Sequence, residues 1–363
     1  MRIGLVGLPM TGKTTFFKLL CNTDKGTAGF SQGKTESALG VAKVPDRRID
    51  FLSGMYNPKK TTYATIEVID IRGISPGGAE PKGGGANQFL ESVRQADALV
   101  NVVRAFDNGE VVHVEGSVDP FRDIETVNME LLFADLAIIE ARIGRIETAR
   151  KVSRENLLEL EVLKKCRDGL ESGRLIHSLD LSEEEKAFLK TFNFLTERPM
   201  ILLVNLDEEQ YKSGCYRRKE EVGRYAAERN IPLIEICARM ELEINQLEEE
   251  DRKLFMEDLG ISEPGISRLA SAAYDYLGLI SFFTAGEDEV RAWPIRKGTS
   301  AKGAAGKIHS DIERGFIRAE VAGYTDLETL GSMQKVKEKG LFRLEGKDYI
   351  VRDGDIINFR FNI

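Results

Sequence analysis

The chain has 363 residues, enough for two or three domains that each bury a sizeable core. With 42% hydrophobic and 30% charged residues it reads as a soluble globular protein, and no apolar run approaches a membrane span, so no membrane is expected as a partner. A net charge of -8 excludes a generally basic nucleic-acid binder: DNA is not expected, and any RNA contact must come from a local patch. Cys21, Cys166, Cys215 and Cys237 show neither metal spacing nor a disulfide framework, and the N-terminus enters a strand without a signal-peptide pattern. A cytoplasmic location with reduced thiols is expected.

Ile3 to Val6 is a short apolar run suited to a buried strand, and Gly7-Leu8-Pro9-Met10-Thr11-Gly12-Lys13-Thr14 follows it. This is G-x4-G-K-[ST], a phosphate-binding loop. The glycines let backbone N–H groups turn inward, and the next helix points its positive end at the phosphates. Pro9 to Thr15 are the candidate phosphate-side residues. Lys13 reaches the β and γ phosphates, and the Thr14 hydroxyl is the expected Mg2+ ligand. Thr15 to Leu20 continues the helix, and Asn22 to Lys34 is a polar loop suited to sensing nucleotide. Thr35 and Thr27 are its candidate metal ligands, and for each a plain loop threonine fits equally well.

Thr65 to Ile69 alternates as a strand ending in Asp70-Ile71-Arg72-Gly73. D-x-x-G at a strand end is the second phosphate-side motif. Asp70 would hold Mg2+ through water, and the Gly73 amide would bond the γ-phosphate. The next position, where a Ras-type enzyme places its water-orienting glutamine, is Ile74, so hydrolysis needs another group. Ser75 to Gly85, with five glycines and two prolines, is a loop. Ala98 to Val103 is a further buried strand, and His113 stands alone in an apolar run, where a core role is the plainer reading.

From about Asp123 the period changes. Leu132, Leu136, Ile139, Ile143 and Ile146 form a heptad seam, continued by Leu160, Leu163, Cys166 and Leu170. An antiparallel helical hairpin is predicted, with Ser182 to Glu185 capping another helix. Its charged faces are either solvated or a partner-binding arm. Met200 to Val204 returns to strand and ends in Asn205-Leu206-Asp207-Glu208, where a GTPase reads guanine with N-K-x-D. An aspartate there accepts both guanine donors. The longer Glu208 sits at a different height and compromises that contact, which admits ATP. A second base-side loop is expected at Ile236-Cys237-Ala238-Arg239, after the strand Leu233 to Ile236, with Cys237 and Ala238 as the candidate binding residues. Cys21 and Cys237 would lie near the nucleotide, as reduced filler or as oxidation-sensitive thiols. The C-terminal block from Leu279 has strands at Ser281 to Thr284 and Val290 to Ile295, a short helix at Ala304 to Asp311, and two strands between Asp348 and Phe361. Residues 291–319 hold seven Lys or Arg against Asp311 and Glu313, an excess of five that suits phosphate. Trp293 and Phe316 read as core.

Together these residues resemble the YchF-type (Obg-like) ATPases, a family of translation-factor-class P-loop proteins. The resemblance runs through GLPMTGKTT, VVHVEGSVDPFRDIETVNMEL, EEEDRKLFMEDLGISEPG, FFTAGEDEVRAW, GKIHSDIERGFIRAE and GKDYIVRDGDIINFRFN, and covers essentially the whole chain. It implies an α/β fold: a Ras-like P-loop NTPase domain (1–122 and 197–277), an inserted α-helical coiled-coil arm (123–196) and a C-terminal β-grasp, or TGS, domain (278–363). It implies ATP preference through Asn205 and Glu208, with Leu206 packing on the base. It also implies Ile74 as the apolar replacement for glutamine and His113 as the water-positioning residue. Met10-Thr11 stands where the family usually has Asn-Val, and Thr14 where it has Ser. Lys34 and Arg72 also depart from the pattern, which bears on switching and hydrolysis rate rather than on binding.

The expected function is a Mg2+-dependent ATPase that tolerates GTP, with catalysis by Lys13, Gly73 and His113. It would act as a slow switch on ribosomes or ribosomal RNA through the TGS domain and the arm, as a monomer. The rivals are a nucleotide-gated RNA- or ribosome-binding module with little hydrolysis, and a conventional GTP-specific GTPase. A small-molecule kinase is disfavoured, because no acceptor pocket or arginine-rich lid is evident.

Overall fold

The N-terminal apolar run forms strand β1 (Arg2–Val6), buried from Ile3 onward. The structure, a computed structural model, describes residues 2–21, 38–71, 93–149 and 153–362. Among these, β1 sits inside a sheet with β2 (Ala38–Lys43), β4 (Thr65–Asp70), β5 (Ala98–Arg104), β6 (Met200–Asn205) and β7 (Leu233–Ile236), in the order β2-β4-β1-β5-β6-β7. The ladders from β4 through β1, β5 and β6 to β7 are parallel. Parallel central strands are covered on both faces and read as continuous apolar runs. β5 and β6 accordingly have every residue buried.

Contacts divide the chain into two compact units, residues 1–41 with 67–269, and 42–66 with 270–363. The first unit also carries the helical insertion. Its long helix, Pro120–Glu147, begins at the Asp119 N-cap, which accepts from Arg122 N, with Pro120 in the first turn. A second helix, Arg154–Glu171, is capped by Ser153. The expected seam closes between them: Ile139, Ile143 and Ile146 pack with Val162, Leu163, Cys166 and Leu170. The Ser182 to Glu185 capping box also forms, with Ser182 Oγ accepting from Glu185 N and Glu185 Oε2 accepting from Ser182 N at 2.6 Å. Asp135, fully buried, ties the long helix to the chain entering β6. It accepts from Leu195 N at 3.0 Å, Thr196 N at 2.8 Å and the Thr196 hydroxyl at 2.7 Å.

The second unit is a mixed sheet of order β11-β10-β12-β8-β9-β3. Its strands are β3 (Lys60–Thr62), β8 (Leu279–Ala285), β9 (Glu289–Arg296), β10 (Phe316–Gly323), β11 (Arg343–Glu345) and β12 (Asp355–Phe361). The helix Ala301–Ile308 buries Ala301, Ala304 and Ala305 against Phe282, Ile295 and Val321. One expectation is corrected here. Between Asp348 and Phe361 one strand forms, not two: Ile350 makes only an isolated bridge with Ser300, because the chain turns at Gly354 with φ 86°. Segment 42–66, which the expected boundaries assign to the nucleotide-binding block, groups with 270–363. β3 runs parallel to β9, and Arg48 donates to Asp46 and to Asp353 at 2.7 Å. Trp293 and Phe316 border the core of this unit, as expected.

Candidate nucleotide-binding site

The loop between β1 and the helix Lys13–Cys21 takes conformations that dictate its residues. Gly7 has φ 140°, and a Cβ there would lie 2.4 Å from the Val102 carbonyl. Gly12 has φ 100°, and a Cβ would lie 2.5 Å from Asn205 Nδ2. Side chains are excluded at both by backbone strain and by contact. Met10 also has positive φ, 61°, and its side chain is exposed. The Thr11 hydroxyl, buried, donates to the Leu8 carbonyl at 3.2 Å.

Lys13 lies folded into this loop, donating to the Gly7 carbonyl at 3.1 Å and the Leu8 carbonyl at 2.6 Å. Burial lowers its pKa to about 8, with the Asp70 charge opposing the shift. The Thr14 hydroxyl donates to Asp70 Oδ2 at 2.9 Å, so the hydroxyl after the lysine meets the carboxylate that ends β4. Burial raises the Asp70 pKa, against the pull of Thr14 and Lys13. Pro9 to Thr15, Ala38, Asp70 and Ile71 line one cleft of about 480 Å3, within the size range of small-ligand sites. A hydroxyl and a carboxylate are hard oxygen donors that fit Mg2+, which takes one or two protein oxygens and leaves the rest to phosphate and water.

Asn205, at the end of β6, joins the loop to the segment that begins at Ala238. Its Nδ2 donates to the Thr11 carbonyl at 3.0 Å, and its Oδ1 accepts from Ala238 N at 3.2 Å. Asp207 caps the helix Glu208–Ser213 in a box with Gln210, and Cys237 precedes the helix Ala238–Gln246. Two helix N-termini therefore start beside Asn205. Glu208, half-exposed, faces Arg239 at 3.5 Å. Burial raises the Cys237 thiol pKa and pushes that of Cys21 to about 12. Thiolate is the reactive form, so both behave as inert filler at neutral pH.

Asn205, Glu208, Cys237 and Ala238 are not among the residues that line this cleft, and neither are Leu206 and His113. Leu206 is 3% exposed and belongs to the core with Val103, Val204 and Val222, so its side chain does not offer a face to a base. His113 is buried against Asp123, with Nε2 2.8 Å from Asp123 Oδ2, while its Nδ1 accepts from Glu115 N at 3.1 Å. Since Nδ1 must accept, Nε2–H donates to Asp123, and neither ring nitrogen is left for a water. Arg122 holds the other Asp123 oxygen at 2.8 Å. Gly73, Ile74, Thr35, Thr27, Lys34 and Arg72 lie outside the described residues.

Sequence reasoning missed Arg104, the largest fully buried side chain among the described residues. From the end of β5 it donates to the carbonyls of Phe106, Asn108 and Val111 at 3.1, 3.4 and 3.0 Å, shaping the loop that leads to His113. A charged residue closing a buried, mostly apolar strand was the available signal. Arg239 closes the expected second base-side loop, but its place opposite Glu208 is set only by folding.

Residues 2–132 match a family described as 50S ribosome-binding GTPase, and residues 279–362 match the C-terminal domain family of YchF GTPases, described as a protein of unknown function. The ribosome-binding ATPase YchF of Bacillus subtilis is 42% identical over 99% of both chains. That of Escherichia coli O157:H7 is 41% identical over 100% of this chain and 99% of its own. The solved YchF GTPase of Schizosaccharomyces pombe superposes with a TM-score of 0.86 at 31% identity, covering 99% of this chain and 97% of its own.

Proposed function

Because the chain belongs to the YchF family, we propose that it is a cytoplasmic Mg2+-dependent nucleotide hydrolase, preferring ATP over GTP, that acts as a slow switch on ribosomes. The observation that carries this reading is the paired arrangement at one cleft: Lys13 on the Gly7 and Leu8 carbonyls, and Thr14 on Asp70. Lys13 binds and neutralises the β and γ phosphates, and the loop amides and the helix N-terminus hold the rest. Thr14 and Asp70 hold Mg2+, which on binding spreads the negative charge of the transferring phosphoryl group. Asn205 keeps the base side and the phosphate side in register. Glu208 and Cys237 with Ala238 border the base. Gly73 and Thr35 are the candidate γ-phosphate and metal contacts.

The C-terminal domain and the helical arm supply the ribosome-facing surfaces, with the local Lys and Arg excess between 291 and 319 directed at RNA phosphates. In the second reading, nucleotide occupancy gates partner binding and hydrolysis is incidental. The engagement of both His113 nitrogens favours it, since that histidine must leave Asp123 or Glu115 before it can orient water.

The deciding experiment titrates fluescent ATP and GTP analogues, with Mg2+, into wild type and Glu208→Asp, and follows phosphate release with and without purified ribosomes. ATP preference that moves toward GTP in the variant supports the base assignment. Strong wild-type preference for GTP overturns it and leaves a conventional GTPase. Nucleotide-dependent ribosome binding without ribosome-stimulated phosphate release favours the gated module.

A further inference from the structure

The sulfur atoms of this chain divide by burial. Cys166 and Cys237 are buried and Cys21 is half-buried, and burial raises the pKa of all three, so none presents a thiolate at neutral pH. Among the described methionines, Met200 and Met240 are buried, and Met55, Met256 and Met333 are partly buried. Two are exposed, Met10 at 67% and Met129 at 51%. They differ in place. Met129 lies on the long helix of the insertion, whereas Met10 lines the nucleotide cleft together with Lys13, Thr14 and Asp70. A thioether needs no ionisation to react with a peroxide, so exposure rather than pKa selects which methionine is oxidised.

The backbone sets this side chain apart from its neighbours. Met10 takes φ 61°, in the left-handed region that side chains other than glycine seldom adopt. It stands exposed, while Thr11 and Lys13 of the same loop are buried. The loop interior is suited to anionic oxygen, with backbone N–H groups, the Lys13 ammonium and a helix N-terminus converging there. We propose that Met10 is an oxidation site that lowers the nucleotide affinity of the cleft, with hydrogen peroxide as the oxidant. The sulfur lone pair forms an S–O bond as the O–O bond breaks. The displaced hydroxide takes the proton of the transferred oxygen and leaves as water, so the thioether is oxidised to a sulfoxide and the peroxide is reduced. The sulfoxide oxygen carries partial negative charge and accepts hydrogen bonds. On the lining of the cleft it repels the triphosphate and competes for the donors that hold it. The inference rests on the reading of this cleft as a phosphate site.

The test treats the full chain, wild type and Met10→Leu, with dilute hydrogen peroxide. Sulfoxide is mapped by peptide mass spectrometry, and the ATP affinity of each protein is measured with Mg2+ before and after treatment. Sulfoxide should form at Met10 and Met129 at least about threefold faster than at Met200 or Met240. Saturating ATP should slow the reaction at Met10 and leave Met129 unaffected. Oxidation of wild type should raise the Kd for ATP about fivefold, and methionine sulfoxide reductases should restore it. Met10→Leu, whatever its starting affinity, should show no change on treatment. A loss that persists in Met10→Leu belongs to another sulfur, such as exposed Cys215, and overturns the proposal. Met10 sulfoxide with unchanged ATP affinity, or no sulfoxide at Met10, overturns it equally. Untreated wild type that fails to bind ATP overturns the nucleotide reading itself and this inference with it.

Discussion

The two ends of the nucleotide cleft are built on different principles. The phosphate end comes from nine consecutive residues, Gly7 to Thr15, closed by Asp70. Its shape is held by backbone conformation and by carbonyls within the same loop. The proposed base end draws on segments about thirty residues apart (Asn205 to Glu208, and Cys237 to Arg239), tied to the loop through one buried amide side chain. A contiguous loop can be altered in its side chains while keeping its cradle. A site tied through one amide loses both of its halves with that amide.

The comparison breaks most sharply at Lys13. Lys13→Ala should weaken ATP binding about a hundredfold, the scale of a lost charge-assisted contact to phosphate. The ligand-free protein should keep its Tm, because the substitution removes a buried charge rather than a packing group. Differential scanning fluorimetry with and without ATP checks both: the nucleotide-induced shift disappears and the baseline Tm does not fall.

Asn205→Ala should act on both ends together. It leaves the Thr11 carbonyl and the Ala238 amide without partners, at about 2 kcal/mol of stability, and should weaken ATP binding by about tenfold to thirtyfold. Asn205→Asp keeps the acceptor for Ala238 N and loses the donor to Thr11, so isothermal titration should place it between wild type and Asn205→Ala. If Asn205→Ala bound ATP normally, the two ends would be independent.

A pH titration sharpens the contrast without a mutation. The Lys13 pKa in the folded, ligand-free protein is depressed from 10.5 to about 8. Between those values the unfolded chain binds more protons, so this group makes the ligand-free protein more stable as pH rises. Phosphates need the ammonium, so ATP affinity changes in the opposite direction and should fall about tenfold between pH 7 and pH 9. Anisotropy titrations at fixed ionic strength read this directly. Lys13→Arg, which cannot lose its charge, should flatten the profile even if its affinity is lower.

The smallest effect belongs to the exposed pair at the base end. Arg239→Ala removes a half-solvated contact with Glu208 and should alter the ATP-to-GTP affinity ratio by no more than about threefold, with little change in Tm. A larger change would assign Arg239 direct contact with the base.

The sequence determines the parts of this protein that depend on neighbours along the chain. The phosphate loop is legible because only glycine tolerates the backbone at positions 7 and 12. The helical arm is legible because a heptad seam exposes its own periodicity, and the Ser182 box because both of its partners lie within four residues. Asp70 was legible from its place at a strand end. Tertiary structure alone decided which distant groups meet. It sealed Leu206 into the core, gave His113 to Asp123 and Glu115, and used Arg104 to hold three loop carbonyls. It also placed residues 42–66 in the C-terminal unit. The physical reason is that backbone conformation and hydrophobic period are written locally. A buried polar side chain takes whichever partner the folded chain brings within about 3 Å, and that partner has no fixed spacing in the sequence.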